Sequence, residues 1–61
     1  SVLNIYDISG YLVQNIEINP DAIFITWDGK DRYGFAAGSG IYVYQVKFDQ
    51  QKIAGKMTLI R

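Results

Sequence analysis

Apolar residues along this chain recur mainly at every second position, and that period of two commits the chain to β-strands rather than helices. Val2 to Asp7 reads as a first strand, with Leu3 and Ile5 on one face and Val2 and Tyr6 on the other. Ser9-Gly10 marks a turn, since glycine accepts a positive φ without steric cost. Tyr11 to Ile18 reads as the returning strand of a hairpin. Asn19-Pro20-Asp21 interrupts the pattern, because proline fixes φ and has no N–H for a ladder. Ala22 to Asp28 is expected as a third strand, with Ile23, Ile25 and Trp27 on one face. Gly29 to Gly40 holds four of the six glycines and reads as a series of ordered turns. Ile41 to Phe48 is the most β-prone segment, with Tyr42, Tyr44, Val46 and Phe48 on one face. After a polar turn at Asp49-Gln50-Gln51, Lys52 to Ile60 is expected as the fifth and last strand. No segment carries a helical period. The first and fourth strands are apolar on both faces, which suits central strands or a surface awaiting a partner.

The length of 61 residues allows a single domain. Such a domain buries only about 60% of the surface its unfolded chain exposes. Six basic residues balance six acidic ones. With no basic stripe, nucleic acid is not an expected partner, and neither is an anionic membrane surface. No apolar run approaches the ~20 residues of a membrane-spanning helix, and the start of the chain does not read as a secretory signal. Cysteine and histidine are absent. Disulfides, thiolate nucleophiles, imidazole bases and the usual zinc ligands are therefore excluded.

The remaining polar residues point to turns rather than chemistry. Asp28, Asp31 and Asp49 offer oxygen donors that Ca²⁺ prefers, but their spacing lacks the alternation of an EF-hand loop. Carboxylates that accept backbone N–H groups in Asx-turns account for them. Ser39 has no histidine to activate it. The glycines open no helix, so they do not cradle a phosphate. Trp27 is a large apolar anchor whose indole N–H needs one acceptor, and it is expected to be buried. Gly29, Gly34 and Gly40 supply turn conformations. Trp27, Tyr42 and Tyr44 can be read as a platform for stacking sugars, or as core aromatics with polar tips at the rim; the second reading suits a small domain better. No cofactor is expected.

Five segments, taken in order, resemble a known pattern: Ile5-Tyr6-Asp7-Ile8-Ser9-Gly10, Trp27-Asp28-Gly29-Lys30-Asp31, Gly34, Ser39-Gly40-Ile41-Tyr42-Val43-Tyr44 and Lys56-Met57-Thr58-Leu59-Ile60-Arg61. In order and spacing they resemble the Ig-like domain of the flagellar hook-capping protein family. They also resemble the C-terminal sorting domains of type IX secretion and gliding-motility proteins. The resemblance implies an all-β, Ig-like antiparallel β-sandwich of about seven strands. Five of these are visible here, so two expectations stand: a fragment whose strands before Leu3 are missing or come from elsewhere, or a compact five-stranded variant whose edges are blunted by Lys47, Lys52 and Lys56. Residues 1–61 would then form one module at the C-terminal end of a larger secreted or cell-surface bacterial protein. The implied role is not enzymatic. It is sorting or attachment through the secretion machinery, or else subunit contact in a hook-cap-like assembly; a carbohydrate-binding accessory role is a further alternative. Basic residues at the tail, here Lys56 and Arg61, are the expected recognition end for sorting. The expected partners are proteins, including a second copy of the chain paired along an open strand edge.

Overall fold

A computed structural model describes every residue except 20, 22, 23 and 49. Four strands form one antiparallel sheet: β1 (Val2–Asp7), β2 (Leu12–Glu17), β3 (Gly40–Phe48) and β4 (Gln51–Leu59). Their spatial order is β2-β1-β3-β4. The described residues include no helix. The two segments with apolar residues on both faces are β1 and β3, and both lie at the centre of the sheet.

Alternation sets the register. Leu3 faces Val46 and Ile5 faces Tyr44 across β1 and β3. Tyr42 faces Met57, Tyr44 faces Gly55 and Val46 faces Ile53 across β3 and β4. These side chains share one face with Ile16, the partner of Leu3 on β2. Leu3, Ile5 and Tyr42 are the buried centre, and Ile5 is fully enclosed. Val13, Ile16, Trp27, Ala37, Tyr44, Val46, Met57 and Leu59 pack around them. The Tyr44 ring lies across Gly55, where an added Cβ would sit 2.6 Å from Cζ. The glycine thus lets an aromatic ring close over the edge of the core. The opposite face carries Asn4, Gln45, Lys47, Lys52 and Lys56. There the Asn15 amide donates to Asn4 Oδ1 at 2.6 Å.

Three expectations change. In the expected third strand, Ala22–Asp28, residues 22 and 23 lie outside the described residues, and Phe24–Asp28 joins no ladder. The register explains the difference. At β2, the ladder shifts between Ile5 and Tyr6, so that Ile5 faces Gln14 and Tyr6 faces Leu12. Val13 is left as the extra residue of a bulge, and its carbonyl accepts from Arg32 N–H at 2.9 Å. Arg32, beyond the Trp27 motif, rather than Phe24–Asp28, therefore meets the β2 edge at the bulge. The second difference follows from the first. Among the described residues the core face is covered by the 27–39 loop and not by a second sheet, so Trp27 is half-buried rather than enclosed. Gln51, expected in the turn, already pairs with Phe48; Asp49 lies outside the described residues.

Candidate functional site

The sequence concentrates its unusual residues between Trp27 and Tyr42, and the structure gathers them at one end of the sheet. Trp27 packs on the core face of the sheet with its ring edge-on to Tyr42, at a centroid distance of 5.2 Å and an angle of 71°. Its indole N–H donates to the Lys30 carbonyl at 2.8 Å. Asp28 Oδ1 accepts from Lys30 N–H at 3.0 Å. The chain then doubles back. Lys30 pairs with Ala36 in an isolated antiparallel bridge, and Ala37 N–H donates to the Gly29 carbonyl at 2.8 Å. At the tip, Asp31 Oδ1 accepts from Tyr33 and Phe35 N–H, both at 2.9 Å. Gly34, at φ 90°, makes the reversal in a region that side chains disfavour.

Three side chains from outside this miniature hairpin fasten it. Gln14 Nε2 donates to the carbonyls of Lys30 and Asp31 at 3.2 and 3.1 Å. The Tyr42 hydroxyl donates to the Gly38 carbonyl at 2.6 Å. Arg61 closes the loop from the C-terminal side. Its Nε donates to Ala37 O at 2.5 Å, its Nη2 donates to Gly29 O, and its backbone N–H donates to Ser39 Oγ at 3.0 Å. Gly29 is buried beneath that guanidinium.

Of the residues singled out by sequence, Trp27, Asp28, Gly29, Asp31, Gly34, Tyr42 and Arg61 meet in this one network. Gly40 starts β3 beside it. Tyr44 lies apart, over Gly55. Lys56 is exposed on the opposite face, paired with Val43, and takes no part. The sugar platform of Trp27, Tyr42 and Tyr44 does not form: Tyr42 is buried, and the other two are half-buried against the core. Gln14 was missed by sequence reasoning. Its signal was a polar residue at an inward-facing position of β2, opposite Ile5. The carboxylates of Asp28 and Asp31 cap turns, as their spacing suggested. No group of three or more metal-ligating side chains gathers among the described residues.

Two cavities flank the network. One, about 320 Å³, opens between the Asp7 and Asp31 turns. The other, about 260 Å³, is apolar and lined by Leu3, Ile5, Ile25, Trp27, Tyr44, Val46 and Met57.

The family model described as the FlgD Ig-like domain matches residues 1–52. It thus includes the whole Trp27–Tyr42 network except Arg61. Neither a curated protein nor a solved structure gives a significant match.

Proposed function

We propose, since the chain belongs to the FlgD Ig-like domain family, that it is a non-enzymatic structural module making subunit or domain contacts in a hook-cap-like extracellular assembly. The observation that carries this reading is the half-open apolar face of the sheet. Ile25, Trp27, Tyr44, Val46 and Met57 line a cavity of about 260 Å³ there, and among the described residues the buried centre is only Leu3, Ile5 and Tyr42. An apolar face so thinly covered gains stability when a second layer packs on it. In this reading a neighbouring segment or subunit supplies that layer and completes the Ig-like sandwich. The open β4 edge is a second place where a partner strand, including one from another copy, can add.

The polar network supports a structural role as well. Asp28 and Asp31 spend an oxygen on backbone N–H groups, and neither has a histidine or thiol beside it to share a proton. Sorting through a secretion machinery that reads the basic tail is the weaker reading. The Arg61 guanidinium is already bound to the Ala37 and Gly29 carbonyls.

Site-specific photo-crosslinking in the producing cell tests the proposal. A benzophenone side chain at Ile25 should form a stoichiometric adduct with a protein of the same extracellular assembly, and one at Lys47 on the opposite face should not. Equal adducts from both positions, or none from Ile25, would overturn it.

A further inference from the structure

We propose that the cleft between the two Asp-x-x-Gly-aromatic turns binds a neutral saccharide. Asp7-Ile8-Ser9-Gly10-Tyr11 and Asp31-Arg32-Tyr33-Gly34-Phe35 follow the same pattern. They stand on either side of a cleft of about 320 Å³, lined by Asp7, Tyr11, Val13, Asp31, Tyr33 and Tyr42 among others. That volume lies at the lower end of the range for small-ligand sites, about 300 Å³ and upward.

The turns need Asp and Gly for their geometry, and nothing in that geometry needs an aromatic ring. Yet Tyr11 and Tyr33, which line the cleft, are each 72% exposed, in a chain with few side chains to spare for its core. Exposed rings grouped at a cleft mark a binding surface more often than chance exposure does. A flat ring offers an apolar face to the C–H side of a sugar and a hydroxyl at its rim. The cleft also supplies acceptors for sugar hydroxyls. Each Asp carboxylate holds its two turn N–H groups through Oδ1. Among the described residues, Oδ2 of both accepts no hydrogen bond.

The charge pattern favours a neutral ligand over a cationic one. The Arg32 guanidinium already lies 5.2 Å from the centre of the Tyr33 ring, so a cation of the chain itself occupies one face of that ring. The amide donors on Oδ1 partly offset the charge of each carboxylate. The cleft shares no lining residue with the apolar cavity assigned to protein contact, so the two assignments stand or fall separately.

Amide-resolved NMR titration of the 61-residue chain with cellohexaose, chitohexaose and mannohexaose tests the proposal. At least one should shift the amides of residues 7–11 and 31–38 saturably, with Kd of about 1 mM or tighter. Tyr11→Leu and Tyr33→Leu keep apolar bulk at exposed positions and remove the flat face. Each should weaken binding roughly tenfold, a change of about 1.4 kcal/mol. Tyr11→Phe and Tyr33→Phe should retain binding, and Phe24→Ala, an exposed ring outside the cleft lining, should leave it unchanged. No saturable shift with any of the three sugars at about 10 mM would overturn the assignment. So would shifts confined to the Leu3–Met57 face, or a response of these amides to trilysine alone.

Discussion

The two Asp-x-x-Gly-aromatic turns are nearly identical inside and differ in what surrounds them. In the first, Asp7 N–H donates to Tyr11 O at 3.0 Å, Gly10 N–H donates to Asp7 O at 3.0 Å, and Asp7 Oδ1 accepts from Ser9 and Tyr11. In the second, Asp31 N–H donates to Phe35 O at 2.7 Å, Gly34 N–H donates to Asp31 O at 3.1 Å, and Asp31 Oδ1 accepts from Tyr33 and Phe35. The glycines sit at φ 92° and 90°. The first turn continues into the β1–β2 ladder, with Val2 to Tyr6 paired to Glu17 to Leu12. The second continues into one bridge, Lys30 to Ala36, and depends on Trp27, Gln14 and Arg61 for the rest. The same five-residue pattern therefore makes the same turn in two different surroundings. Whether it grows into a sheet depends on the apolar alternation of its flanks, which Lys30 and Ala36-Ala37-Gly38 lack.

The largest expected effect separates the turns at Trp27. Trp27→Ala removes the contact with Tyr42 and the bond to Lys30 O, at a cost of about 3 kcal/mol, the low end for large aromatic truncations because the ring is half-buried. That approaches the whole stability of a small domain. In conditions where the variant still folds, hydrogen exchange should quicken at Phe35 and Ala37 far more than at Asp7 and Tyr11. Equal loss of protection at both turns would show that the second is not docked through Trp27.

The next effect compares the carboxylates directly. Asp31→Ala should destabilise by about 1–2 kcal/mol, because two amide donors lose their acceptor and no ladder holds the loop in place. Asp7→Ala removes the same two bonds from a turn anchored by strands, and should cost about half as much. Urea denaturation of both variants reads the difference. Indistinguishable midpoints would mean that the ladder adds nothing to the first turn.

The smallest effect is at Arg61. Arg61→Ala should cost about 0.5–1 kcal/mol, discounted for the exposure of the side chain. It should loosen only the second turn, seen as faster exchange at Ala37. Arg61→Lys should not restore protection, since an ammonium cannot span two carbonyls as the guanidinium fork does. Unchanged exchange at Ala37 in Arg61→Ala would rule out the clasp.

Much of this was legible in order of residues. Alternation located β1, β2, β3 and β4 to within a residue or so, and the apolarity of both faces of Val2–Tyr6 and Ile41–Val46 singled out the central strands. The spacing of Asp28 and Asp31 before Gly29 and Gly34 announced their turns. The predicted strand over Ala22–Asp28 had the right alternation around Ile25 and Trp27. Where the chain is described it nevertheless joins no ladder, because the bulge at Val13 hands the β2 edge to Arg32. No local pattern contains that handover. Arg61 reads as a solvated basic end, and its partners Gly29 and Ala37 lie 32 and 24 residues away.

What the sequence by itself determined is local: strands from a period of two, and turns from Asp and Gly at fixed spacing. Steric limits on φ and the reach of a short carboxylate act over a few residues and need no wider context. The tertiary structure alone decided the strand order β2-β1-β3-β4, the half-burial of Trp27, the clasp of Arg61 and the pairing of the two turns across one cleft. These depend on which distant segments meet, and the free energy of such meetings comes from burying Leu3, Ile5 and Tyr42 together, to which no single segment contributes enough alone.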